Sequence, residues 1–246
     1  MMNAASLLVI AALLCATPAT GLAGDAACIE PLKPGDLSAW REPLGEWCVA
    51  DDVAKDPADE RKFTIKDGKG VIVNGSKGRT GNLLTKMEHA DVEAHVEFCV
   101  PRGSNSGVYF MARYEIQVFD SWRVEHPKYS DCGGIYQRWN TAEPDPKKRG
   151  YEGHSPRVNA SKAPGEWQSF DVTFRAPRFD ASGKKTKNAV FVKVVHNGKV
   201  IHENVEVTGP TRASTFNDEK PTGPLMLQGD HGPVAYRNLR IRPLAE

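Results

Sequence analysis

Three side chains able to bind, charge or deprotonate a hydroxylated ligand stand at consecutive alternate positions: Arg113, Glu115 and Gln117. Tyr109, Met111 and Phe119 extend the same row. Side chains alternate across a strand, so this spacing predicts one shared face. The opposite row, Val108, Phe110, Ala112, Tyr114, Ile116 and Val118, is almost wholly apolar and should meet a core. A guanidinium, a carboxylate and an amide flanked by aromatics suit the floor of a sugar cleft, where planar polar groups read hydroxyls and rings stack on pyranose faces. The plainer reading is a solvated sheet face on which Arg113 and Glu115 balance one another. Tyr109, Met111 and Phe119 weigh against it, because a solvent face has no need of them.

A second set, Gln228, Asp230 and His231, follows the apolar run Leu225 to Leu227. His231 lies in a glycine-flanked turn, which predicts a ring at the rim of a cleft; the alternative is a bystander, as loop histidines often are. Arg237 and Asn238 read as structural. Trp122, Tyr136 and Trp139 suit either stacking subsites or core packing. Glu115, Asp120, Asp230 and His231 would together suit a divalent cation, although no compact ligand motif marks one. His126, His154, His196 and His202 show no ligand spacing.

The elements that must position these groups read as short strands between turn signals, without a convincing amphipathic helix. Val92 to Val100 alternates, with Glu93, His95 and Glu97 on the polar side. Phe63 to Ile65 and Gly70 to Val73 predict a hairpin around Asp67-Gly68. Val190 to Val195 and Lys199 to Glu203 predict another around Asn197-Gly198. Val108 to Phe119 reads as one long strand. Ser169 to Phe174, Leu225 to Gln228 and Tyr236 to Ile241 complete an all-β sandwich or jelly roll of one domain. The stretch from Asn140 to Pro164 carries four prolines and no apolar period, the mark of a functional or disordered loop.

The chain has 246 residues and a net charge of +1 with scattered basic residues, so nothing in it is shaped to bind nucleic acid. Ala4 to Ala16 is apolar apart from Ser6, too short for a membrane span of roughly 20 residues. Small residues follow at Ala19, Gly21, Ala23 and Gly24, which predicts a signal peptide over residues 1–23 and a mature domain over 24–246. No Lys or Arg precedes Lys33, which leaves an uncleaved anchor as the alternative; Leu13 and Leu14 argue against a lipid on Cys15. A periplasmic or secreted protein, not inserted in a membrane after cleavage, is expected. Export would leave Cys28, Cys48, Cys99 and Cys132, an even set compatible with two disulfides. Proximity in sequence favours Cys28 with Cys48 and Cys99 with Cys132; buried free thiols are the alternative.

The run from Asn105 to Asp120, N-S-G-V-Y-F-M-A-R-Y-E-I-Q-V-F-D, resembles the 3-keto-disaccharide hydrolase family. Gly133 to Tyr136, Pro164 to Trp167 and Leu227 to Ile241 match it in the same order, so the resemblance spans about Trp47 to Pro243. It implies a concanavalin-like jelly roll, distantly related to laminarinase-type glycoside hydrolases. Those enzymes carry E-x-D-x-x-E on one strand; here Glu115, Gln117 and Asp120 keep the spacing but change two of the three residues. A retaining glycosidase needs two carboxyls about 5 Å apart, and a shorter Asp without its central support departs from that pattern. The resemblance implies different chemistry: a 3-keto group acidifies the hydrogen at C2, so a base can remove it and expel the C1 substituent, after which water adds.

For that route Glu115 or His231 would be the base, Arg113 or a bound cation the electrophile, and Asp120 the acid for the leaving group. Tyr109, Gln117, Trp122, Tyr136, Gln228 and Asp230 would contact an oligosaccharide or glycoside. Because Asp120 has the wrong parity for the face of Glu115, a bulge or strand end is expected after Gln117. Two other classes fit the same features: a non-catalytic carbohydrate-binding module, and a scaffold domain. The scaffold gives Arg113, Glu115 and Gln117 no reason to share a face.

Overall fold

The computed structural model describes residues 27–32 and 37–245. The expected signal peptide, residues 1–23, lies outside the described residues. Two antiparallel sheets form a sandwich. The larger has the order β1-β2-β15-β4-β9-β12-β13: β1 (Cys48–Lys55), β2 (Phe63–Val73), β15 (Ala235–Pro243), β4 (Val92–Cys99), β9 (Gln168–Arg175), β12 (Ala189–His196) and β13 (Lys199–Val207). The smaller has the order β3-β14-β5-β6: β3 (Leu83–His89), β14 (Gly223–Leu227), β5 (Asn105–Phe110) and β6 (Tyr114–Phe119). Two short hairpins complete it: β7 (Arg138–Trp139) with β8 (Gly150–Tyr151), and β10 (Arg178–Phe179) with β11 (Lys185–Lys187).

The apolar rows of the sequence meet between the sheets. Val92, Ala94, Val96 and Phe98 of β4 are buried while Glu93, His95 and Glu97 are not. Phe110 of the small sheet packs on Phe174 and Phe191 of the large one, with ring centroids 5.1 and 5.6 Å apart. Each such ring removed from water contributes roughly 1.5–3 kcal/mol. On the other side of the large sheet Arg237 bonds Glu97 at 2.6 Å and lies 4.1 Å over Trp167, and Asn238 bonds Glu97 at 2.7 Å. These two residues are structural, as expected.

The hairpin at Asn197-Gly198 forms, with both residues at positive φ. That at Asp67-Gly68 does not. β2 runs continuously, and residues 67–70 are accommodated by a register shift opposite Ala50 and Asp52 of β1. The long strand Val108 to Phe119 is also two strands. β5 and β6 pair from Asn105↔Phe119 to Phe110↔Tyr114, and the chain reverses at Met111 and Ala112, at φ 56° and 52°. The turn exchanges two faces: Met111 packs in the main core and Ala112 on the outer side, the reverse of the strand reading.

The four cysteines are free thiols, and their placement forbids the expected pairs. Cys99 lies on the outer face of the large sheet with Val73 and Ala235, whereas Cys132 lies in the core between the sheets. Cys48 pairs with Val73 in the row Val73, Ala235, Cys99, while Cys28 adjoins Ile29, which bridges to Ile241. Ile241 is six residues along β15 from that row, about 20 Å, against a Cα separation under about 7 Å for a disulfide.

Candidate functional site

The outer face of the small sheet carries the polar row. Core packing takes Val108, Phe110, Ile116, Val118, Leu225 and Leu227, so alternation turns Tyr109, Glu115, Gln117 and Gln228 the other way. β6 would expose its free edge there, but Gly133 to Tyr136 runs along it: Gly133 N–H bonds Gln117 O at 2.8 Å, and Gln117 N–H bonds Gly134 O at 2.8 Å. Buried His202 holds this strap by donating from Nε2 to Gly133 O at 2.7 Å. Thr211, after β13, closes the edge nearer the turn; its Oγ1 accepts Glu115 N–H at 3.2 Å.

These segments enclose a cleft of about 280 Å³ lined by Asn105, Tyr109, Glu115, Gln117, Tyr136, Arg212, Ala213, Gln228 and His231. Two other hollows, of about 370 and 700 Å³, lie on the side of the large sheet and contain none of the expected catalytic or binding residues. Glu115, Gln117, Tyr109, Tyr136, Gln228 and His231 therefore converge as the sequence reading expected.

Glu115 is the one carboxyl lining the cleft among the described residues. It is 3 % exposed, and no described Lys or Arg pairs with it. Burial pushes its pKa up to about 8; the Tyr109 hydroxyl draws it down in part, and the negative Asp230 adds to the rise. Register explains the contact, since Tyr109 and Glu115 are direct partners across the β5–β6 ladder. Gly107 makes the room: a Cβ there would stand 2.4 Å from Glu115 Oε1 and 2.8 Å from Tyr109 Cε2. Gln117 is oriented by donating from Nε2 to Ser130 O at 3.2 Å. His231, at the exposed rim, donates from Nδ1 to Asp230 Oδ1 at 2.6 Å, which leaves Nε2 to face outward chemistry.

Four expectations are corrected. Arg113 does not line the cleft. It is buried and fully engaged: Nε and Nη2 donate to O and Oδ1 of Asp218 at 2.5 and 2.8 Å, Nη1 to Met111 O at 2.9 Å, and Phe216 lies 4.8 Å below. It pins a crossing loop onto the hairpin turn. Asp120 comes just after β6 ends at Phe119, so the expected strand end is there. Its carboxylate does not reach the cleft but caps turns, accepting Gly103 N–H at 2.8 Å and Trp122 N–H at 3.3 Å. Trp122 also stands outside, 44 % exposed with Arg123 over its ring. Finally, Glu115, Asp120, Asp230 and His231 do not assemble: among the described residues no three His, Cys, Asp or Glu side chains are grouped to hold a metal ion.

Three lining residues were not singled out from sequence: Asn105, Arg212 and Ala213. Asn105 presents a buried Oδ1 with no partner, an acceptor available to a ligand hydroxyl. Arg212 lies over the Trp139 ring at 3.8 Å and is the guanidinium that Arg113 was expected to supply. Nothing in the irregular Gly209 to Ser214 segment marks it by period or spacing. The left-handed φ of Met111, Ala112 and Ala213 sets the turn and loop around the cleft. Such conformations cost side chains of order 1–3 kcal/mol and cluster at functional sites. Buried His89 offsets part of this by accepting Met111 N–H on Nε2 at 3.1 Å while Nδ1 donates to Ala90 O; burial lowers its pKa to about 4, which keeps that acceptor free.

An all-β sandwich with one buried acid in a cleft of amides, phenols and a guanidinium defines a carbohydrate-active protein of glycosyl hydrolase or lyase type. The chain belongs to the 3-keto-alpha-glucoside-1,2-lyase-like domain family, whose model matches residues 30–242. A candidate glycosyl hydrolase of Parabacteroides distasonis is 27 % identical over 90 % of this chain and 84 % of its own, with a TM-score of 0.62. A second candidate glycosyl hydrolase of that organism, 19 % identical over 89 % of this chain and all of its own, shares the fold with a TM-score of 0.56. No curated protein matches the sequence.

Proposed function

We propose that this protein cleaves the glycosidic bond of 3-keto-glycosides by removing the C2 proton and eliminating the C1 substituent, with hydration completing the cleavage. The observation that carries this reading is Glu115, a solitary buried carboxyl whose proton affinity is raised to about 8. A proton beside a ketone is weakly acidic, and a base matched near neutral pH removes it most effectively. Displacement at C1 as in retaining glycosidases needs a second carboxyl within about 5 Å, and the cleft offers none.

In the proposed step the Glu115 carboxylate takes the C2 hydrogen, a C1–C2 double bond forms, and the C1–O bond breaks. Negative charge developing at the C3 oxygen falls to donors in the cleft. Arg212, whose guanidinium lies over the Trp139 ring, and the amide of Gln228 make no side-chain hydrogen bond to another described residue, and Tyr136 supplies a phenol. His231, held by Asp230, is placed to protonate the leaving oxygen, the role that Asp120 does not reach. Water then adds at C1 and the proton returns to C2.

Glu115→Gln tests the assignment. It keeps shape and hydrogen bonding but removes the base, so kcat should fall about 10²–10⁴-fold while substrate affinity changes little. Sugar binding without turnover in the unaltered protein would instead fit a binding module. Export to the periplasm or medium belongs to the same proposal and rests on the apolar run Ala4 to Ala16. Amino-terminal sequencing of the native protein checks it; a start at Met1 would overturn it.

A further inference from the structure

Arg212 reaches the cleft from a segment whose backbone is pinned at three points. Thr211 N–H bonds Arg113 O at 2.8 Å, Arg212 N–H bonds Gln137 O at 2.8 Å, and Thr215 N–H bonds Ala112 O at 3.2 Å. The Arg212 side chain, by contrast, is exposed and forms no ion pair among the described residues. A long exposed side chain left to itself spreads over many rotamers. What restrains this one is Trp139, whose half-buried ring lies 3.8 Å from the guanidinium. The same hairpin holds a second cation differently. β7 and β8 pair Arg138↔Tyr151 and Trp139↔Gly150. Arg138 stands 5.0 Å over Tyr151, but its Nη1 also bonds Thr208 and Glu152, so a carboxylate meets its charge. Arg212 has the ring and no such carboxylate.

A ring face holds a guanidinium without consuming any of its N–H donors. The donors of Arg212 remain for the cleft, which Arg212 lines; Trp139 lines the adjoining hollow of about 410 Å³ and not the cleft itself. The cation acts inside the cleft. At Tyr136, burial and Glu115 push the phenol pKa up while Arg212 pulls it down. We propose that Trp139 is a positioning residue, its ring aiming the Arg212 guanidinium at the substrate oxygen on which the elimination develops negative charge. This rests on the reading of Glu115 as the base. Trp139 acts through Arg212 and touches neither the substrate nor the reacting atoms.

Trp139→Leu keeps bulk and removes the ring face, so kcat on a 3-keto-glucoside should fall about tenfold with KM changed less, because the guanidinium meets charge present only in the transition state. Trp139→Phe keeps a ring and should recover most of that loss. Added to Arg212→Ala, Trp139→Leu should cost nothing further, since two residues that act as one unit are not additive. Losses that multiply, or wild-type kcat in Trp139→Leu, overturn the proposal. The contact has its own readout in isotope-labelled protein. The Nε–H resonance of Arg212, assigned by its loss in Arg212→Ala, should be shifted upfield by the Trp139 ring current, less so in Trp139→Phe and not in Trp139→Leu. An unshifted Arg212 resonance in the wild type overturns the proposal, and Trp139→Phe keeps this readout usable if Trp139→Leu fails to fold. If the wild type does not turn over a 3-keto-glucoside, the elimination reading has failed, and the resonance alone decides whether Trp139 holds Arg212.

Discussion

Tyr109 and Glu115 face each other as a direct pair across the β5–β6 ladder, with the phenol turned to a carboxyl that no Lys or Arg among the described residues neutralises. Two opposing effects meet there. Burial raises the acid, and the single hydroxyl recovers only part of the lost solvation, so the carboxyl stays protonated well above the usual carboxylate range. Its conjugate base is correspondingly strong, which is what abstraction from carbon requires.

The pH profile follows in sign. As base, Glu115 must be ionised, and with its pKa near 8 only about a tenth is ionised at pH 7. Thus kcat/KM should climb about tenfold per pH unit below 7 and level off above about 8. A profile that instead falls through 8 would assign the carboxyl as an acid.

Stability should move the other way. Between the unfolded value of 4.5 and the folded value near 8, the folded chain holds a proton that the unfolded chain has lost. Stability is therefore full below about 4.5 and declines as pH rises through 8, by about 1.4 kcal/mol per unit. Glu115→Gln removes this decline. Urea unfolding should show the variant gaining on wild type from pH 5 to pH 8.5, and parallel curves would contradict the buried, unpaired state.

Gly107→Ala places a methyl against both members of the pair. Overpacking costs about 1–3 kcal/mol, but the larger effect should be on turnover, because Glu115 must swing aside. We expect kcat to drop at least about tenfold, since small misplacements of reacting groups are costly. Wild-type kcat in a folded Gly107→Ala protein would show that the carboxyl position is not limiting.

Much of the fold was legible because its signals are local. The alternation of Val92 to Val100 and the turn at Asn197-Gly198 state strand faces and reversal directly. The reversal at Met111 and Ala112 was not legible, since neither is a residue that favours positive φ; His89, distant in sequence, supplies the compensation. That hidden turn also explains Arg113. In an unbroken strand it shares a face with Glu115, but at the end of a hairpin it points to the crossing loop. Arg212 entered the cleft on a segment with no periodicity, where only tertiary contact reveals position.

Arg113→Ala should therefore act on folding before chemistry. Met111 O and Asp218 O lose their guanidinium donors, a loss of about 1–3 kcal/mol in denaturant titration. Lysine should not rescue it, because one ammonium cannot span the planar set of acceptors. A fully stable Arg113→Ala protein that had lost only substrate affinity would return Arg113 to the cleft.

The central claim is proton removal from C2 by Glu115, and it is tested most directly by following the C2 hydrogen. The protein should cleave a 3-keto-glucoside, not the parent glucoside, and a substrate deuterated at C2 should react with a primary isotope effect or exchange its label into solvent. Glu115→Gln should abolish both signals. Efficient cleavage of the unoxidised glucoside with the C2 label fully retained would contradict the account.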